Sequence, residues 1–197
     1  MTEVSRYHPL IVALHWVLAF FIIAALTLGA LVMAKTPNSD PMKIEALRAH
    51  MSGGAAILIL MLIRLLVRSS TRRPPDATTR NALLDRVAWW SHRLLYVAVI
   101  GMALSGLVMA LQTRLPWIVF GHEGHLPPTF WAYPIRWVHY GFSRLLIALI
   151  ALHIAGALYH TLILRDHLLR RMWFGRRTPV PPGSAAGPET RASPVQG

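Results

Sequence analysis

From Tyr7 to Ala34 the chain carries no charged residue, and the stretch is dominated by Leu, Ile, Val, Ala and Phe. About 20 apolar residues cross the hydrocarbon core of a bilayer as a helix, so this run predicts a membrane span. It is too long and too uninterrupted for a signal peptide, and no small-residue cleavage site follows it. Three more apolar stretches follow. With the first at about 9–34, the others lie at about 46–67, 87–112 and 135–164. The second is free of charge from Ala49 to Ile63 and ends at Arg64 and Arg68, whose long side chains can snorkel. The fourth carries Arg136 and Arg144 in its first third. An intramembrane arginine usually faces the protein interior and has a partner there, which makes Arg144 a candidate for a role inside the bundle.

The composition agrees. Of 197 residues 54% are hydrophobic and 14% charged, well below the charged fraction of a soluble domain. Eight acidic residues are too few to solvate a globular surface. There is no cysteine, which excludes disulfides, iron–sulfur clusters and Cys-ligated metals. A redox metal would have to be held by His, Met or carboxylates, and histidine, at ten, is the conspicuous supply. The expected fold is therefore an all-α bundle of four transmembrane helices.

The net charge of +12 is distributed as a topology signal rather than as a nucleic-acid surface. Between spans two and three, with their adjoining ends, lie Arg64, Arg68, Arg72, Arg73, Arg80, Arg86 and Arg93. The C-terminal segment carries Arg165, Arg170, Arg171, Arg176, Arg177 and Arg191. The loops 35–45 and 113–134 are poorer in arginine and are offset by Asp40, Glu45 and Glu123. The positive-inside rule then puts both termini in the cytoplasm and those two loops in the periplasm, as expected for a bacterial inner-membrane protein. Residues 1–175 form the expected membrane domain. The Pro-, Gly-, Ser- and Ala-rich stretch 176–197 reads as a disordered cytoplasmic tail.

Depth orders the histidines. His15 lies near the cytoplasmic end of span one, His50 near the periplasmic end of span two, and His92 near the cytoplasmic end of span three. Span four holds His139, His153 and His160 on nearly one helical face, the first two about 21 Å apart along the axis. A haem held by two histidines needs one imidazole from each of two facing helices at equal depth. On the periplasmic side only His50 and His139 are available within spans. On the cytoplasmic side His15 or His92 could face His153 or His160. Using His160 would separate the irons by about 31 Å, close to the full hydrocarbon thickness. His15 with His153 is the better choice, which leaves His92 and His160 for other work. Gly53, Gly54, Gly101, Gly106, Gly141 and Gly156 could let a macrocycle approach the backbone, although small residues also serve plain helix packing.

Four segments carry a resemblance: RYHPLIVALHW, AHMSGGAAILILMLIRLLVR, SHRLLYVAVIGMALSGLVM and HYGFSRLLIALIALHIAGALYH. Together they resemble the bacterial cytochrome b561 family, within the di-haem membrane cytochromes that include hydrogenase and formate dehydrogenase b subunits. The similarity runs over roughly residues 6–173. It implies two haems b as cofactors, with His15 and His153 as the iron ligands of one and His50 and His139 of the other. The short length is similar to the stand-alone type, some members of which oxidise periplasmic superoxide and reduce ubiquinone.

Under that resemblance electrons enter at the periplasmic side and leave to quinone near the cytoplasmic surface. Lys35, Lys43, Arg48, Arg114 and Arg136, with His122 and His125 nearby, are candidates for a positive entrance that attracts the superoxide anion. Arg144 is the candidate partner for a haem propionate. His160 is the candidate proton donor to quinone, a role His92 could share. Trp16, Trp89, Trp90, Trp117, Trp131 and Trp137 read as an interfacial aromatic belt. The main alternative is an electron-carrier subunit that anchors a separate dehydrogenase or hydrogenase and passes its electrons to quinone. A more distant one is a transporter with a histidine proton relay, which would be colourless.

Overall fold

The computed structural model describes residues 3–79, 81–166 and 168–180. Arg80 and Arg191 lie outside the described residues, as does the expected tail from residue 181 onward.

Among the described residues four helices are long and apolar enough to cross a membrane, as expected. The first, α1 (Pro9–Thr27), starts where Pro9 sets a helical φ and the His8 side chain accepts a hydrogen bond from the Leu10 amide at 3.2 Å. It runs on through a π-helical turn, Leu28–Met33. The second, α2, spans Met42–Ser70, and the third, α3, spans Ala82–Gln112. Asn81 caps α3 by accepting from the Leu83 and Leu84 amides. Both helices begin a turn before the apolar run does, because a charged turn outside the hydrocarbon can still complete its own backbone hydrogen bonds. A short α4 (Leu115–Phe120) follows, unforeseen in the sequence. The last long helix, α5 (Pro134–Leu158), also ends in a π-helical turn, Tyr159–Leu164.

The helices pack unequally. The broadest contact is α3 on α5, followed by α1 on α2, with a thinner seam between α2 and α3. No comparable backbone contact joins α5 to α1 or to α2. Two gaps therefore run along α5, and it is across them that the histidines meet.

The core occupies mid-depth. Leu18, Ile57, Met61, Ala98, Val99, Leu146 and Leu149 form one buried cluster, with Phe142 packed at its edge. Leu146 and Leu149 lie between His139 and His153 on α5, so the apolar layer separates two histidine levels. A second cluster, Leu47, Ala110, Leu115 and Val119, seats α4 against the ends of α2 and α3. Arg48 holds α4 from below, donating to the Val119 carbonyl at 2.8 Å while pairing with Glu45 at 2.7 Å.

At the opposite end the termini meet. Glu3–Val4 (β1) pairs antiparallel with Pro179–Val180 (β2). Arg6 donates to the Phe174 carbonyl at 3.0 Å, Trp16 to the Met172 carbonyl at 3.0 Å, and Arg171 to the Pro75 carbonyl at 2.7 Å. Residues 176–180, assigned to the tail by composition, are thus bound back onto the N-terminal segment. The described segments 3–6 and 171–180 and the 71–79 connection lie at one face of the bundle.

Candidate haem centres

His50 and His139 come from α2 and α5 at one level of the bundle. Their ring centroids stand 6.2 Å apart with the planes crossed by 77°. His139 is buried, and its Nδ1 lies 3.1 Å from the Ser105 hydroxyl of α3. That hydroxyl spends its one proton on the Met102 carbonyl at 3.0 Å. It can only accept from His139, so Nδ1 carries the hydrogen and Nε2 presents its lone pair to the gap. His50 Nδ1 is buried, with no close hydrogen-bond partner among the described residues.

A second pair lies nearer the other face. His15 of α1 and His153 of α5 are again 6.2 Å apart between centroids, with planes crossed by 65°. His92 of α3 also approaches His153, at 5.2 Å. An imidazole nitrogen bonds a first-row metal at about 2 Å and sits ~1.1 Å from its ring centroid. Two rings on one iron are then separated by roughly 6.2–6.4 Å between centroids. Both 6.2 Å pairs meet that spacing, whereas His92 stands too close to His153 to share a metal with it. Its Nδ1 donates to the Ala88 carbonyl at 2.7 Å, on the exposed side of α3.

Among the described residues no group of three or more His, Cys, Asp or Glu side chains converges on a point that could hold an ion. Two imidazoles alone leave four equatorial positions to be supplied from elsewhere, which a porphyrin does. The glycines fit this reading in part. A Cβ at Gly53, Gly54, Gly141 or Gly156 would meet nothing within 4 Å. Gly53 and Gly54 lie three and four residues beyond His50, and Gly156, which is exposed, three beyond His153, so a side chain would not crowd these helix faces. Gly101 and Gly106 differ from expectation: the first is covered by the Phe142 ring, the second by His139 itself. These two serve close packing of α5 on α3 rather than access for a macrocycle.

His160 is buried in the π-helical turn that ends α5. Arg165, at φ 52°, reverses the chain behind it and brings Asp166 back, so that the carboxylate meets His160 Nδ1 at 2.5 Å. Sequence reasoning singled out His160 but missed Asp166, whose partnership depends on that left-handed turn. Asp166 also accepts from the Leu168 amide, which holds it in place.

The cations divide differently from expectation. Lys43, assigned to a solvent-facing entrance, is buried at 4% exposure. Its ammonium donates to the Met33 and Thr36 carbonyls that α1 leaves unpaired at its end. Three donors on a flexible stem suit it to that capping task. Arg48 is committed to Glu45 and α4, as above. Arg136 stacks over the Trp131 ring, 4.4 Å from its centroid, at the mouth of the His50–His139 gap. Arg114 lies near Trp117, and Lys35, His122 and His125 are exposed on the same face, the two histidines lining a cleft with Pro37 and Asp40. Arg144 is exposed on α5 beside the Tyr140 ring, at 5.0 Å, rather than turned into the bundle. The six tryptophans read as an aromatic belt are all exposed.

Four helices of membrane-spanning length, no cysteine, and histidines of different helices brought face to face fit a membrane cytochrome of the b type. The chain belongs to the prokaryotic cytochrome b561 family, whose model matches residues 6–175. It is accordingly a membrane electron-transfer protein, of a family whose cofactor is haem b. Its relatives include the probable superoxide oxidase CybB of Yersinia pestis, 28% identical over 85% of this chain and 96% of that protein. Cytochrome b561 homolog 1 of Escherichia coli K12 is 23% identical over 85% and 97% of the two chains. Cytochrome b562 of Cereibacter sphaeroides is 27% identical over 87% and 98%.

Proposed function

We propose that this chain is a bacterial inner-membrane cytochrome, with both termini in the cytoplasm, that binds two haems b and carries electrons from periplasmic superoxide to ubiquinone. One haem would be held by His50 and His139, the other by His15 and His153. The observation that carries the reading is the matched 6.2 Å spacing of the two pairs at separate levels of α5. A haem bound in each pair supplies one-electron chemistry in a cysteine-free interior. The superoxide assignment draws on the name of the Yersinia pestis relative, at 28% identity over nearly its whole length.

The overall reaction oxidises two superoxide anions to dioxygen and reduces one quinone with two protons to quinol. The chain's own residues would contribute at each face. Lys35, Arg114 and Arg136 keep a positive potential at the periplasmic entrance, which raises the arrival rate of a small anion. Arg136, one turn before His139 on α5, is the cation available to a propionate there. His160 would hold the proton for quinone. Asp166, accepting from its Nδ1, fixes the ring and leaves Nε2 as the face that takes up and delivers the proton. His92, with its Nδ1 tied to Ala88, likewise offers Nε2 near that end.

The test is purification of the full chain, a haem-to-protein ratio, and stopped-flow mixing of the oxidised protein with superoxide. Two haems b per chain, reduced by superoxide and reoxidised by ubiquinone, are expected. Protein with no b-type absorbance would overturn the cytochrome reading. Haems that stay oxidised until a partner dehydrogenase is added would move the protein to the electron-carrier class.

A further inference from the structure

Arg64 is a cation inside the bundle with no acidic partner among the described residues. It projects from α2 and ties two other helices together. Nη1 donates to the Ile11 carbonyl of α1 at 3.0 Å, and Nε to the Tyr96 hydroxyl of α3 at 3.2 Å. Ile11 is one turn from His15, and Tyr96 one turn from His92, so the guanidinium is pinned at the level of the His15–His153 pair. Arg68, a turn further out on α2, leans over the Tyr96 ring at 5.8 Å. The His50–His139 pair has its own cation in Arg136, on another helix and at the other end.

A fixed positive charge favours the reduced state of a nearby metal, because reduction lowers the positive charge at the centre. Arg64 lies half-buried at the end of a membrane span with its charge unneutralised, and arginines held so against other helices mark candidate functional sites. The hydrogen bonds to a backbone carbonyl and a phenol satisfy donors but leave the charge in place.

Resting on the two-haem reading above, we infer that Arg64 is a positioning residue that raises the reduction potential of the haem between His15 and His153. A unit charge about 10 Å away in a medium of effective dielectric near 20 changes a one-electron equilibrium by about tenfold. For one electron, tenfold corresponds to ~59 mV.

The experiment is an optical redox titration of the purified holoprotein. The His50→Ala variant, which lacks the periplasmic haem, identifies which of the two components is which. Arg64→Gln should shift the His15–His153 component about tenfold toward the oxidised form and leave the other unmoved, while Arg64→Lys should stay close to the parent. Tyr96→Glu sets a carboxylate against the guanidinium and neutralises it with the arginine and its tie to Ile11 kept. It should produce the same shift, and it decides between the outcomes if Arg64→Gln does not accumulate. Unchanged midpoints, or equal shifts at both haems, would overturn the inference. A parent protein without two b-type components would instead sink the reading on which it rests.

Discussion

The Ser105 hydroxyl accepts the Nδ1 hydrogen of His139 at 3.1 Å while donating its own proton to Met102. A serine on α3, which contributes no iron ligand in this reading, thereby selects the tautomer of a histidine on α5. Such outer partners commonly change metal affinity by 10- to 100-fold. Ser105→Ala should weaken retention of the haem at His50–His139 by at least about tenfold, measured as haem loss to apomyoglobin. It should also raise that haem's midpoint potential, because an imidazole that loses its acceptor becomes a poorer donor to the ferric iron. Retention equal to the parent would show that packing alone orients the ring.

The two candidates facing His153 are separated by distance alone, 6.2 Å for His15 and 5.2 Å for His92. His15→Ala should halve the haem-to-protein ratio, whereas His92→Ala should keep both haems. The reverse result would move the ligand to α3.

Asp166 offers a proton-transfer prediction. Asp166→Asn keeps the hydrogen-bonding shape that caps Leu168 but removes the carboxylate from His160 Nδ1. Quinol formation should slow by about 100-fold, the usual scale of a lost acid–base group. Haem content should not change, and reduction by superoxide at the opposite face should proceed. Quinol formation at the parent rate would exclude the dyad from the proton path.

Lys43 is a stability prediction. Lys43→Met removes the donor to the Met33 and Thr36 carbonyls and leaves both half-buried acceptors short of a partner. Each such group costs about 1–3 kcal/mol, so the thermal midpoint in detergent should fall by several degrees. A midpoint within a degree of the parent would mean that water replaces the ammonium.

Composition, charge asymmetry and apolar length determined by themselves that this chain crosses a membrane four times, and helical periodicity determined that His139, His153 and His160 share a face of α5. Those properties are local: a bilayer forces each segment to satisfy its own backbone, so a span can be recognised without its neighbours. The depth argument also brought His50 opposite His139, because only one histidine was available at that level. What the sequence left between alternatives was lateral. Whether His15 or His92 spaces correctly against His153 depends on how far α1 and α3 stand from α5, and only the packed bundle decides that. The same holds for Lys43, whose charge looked like part of an entrance until α1 presented its unpaired carbonyls to it. Asp166 and Ser105 were invisible for a related reason. Each acts through a hydrogen bond about 3 Å long or shorter, and bonds of that length are made by side-chain direction and turn geometry, which hydropathy and spacing along one helix do not encode.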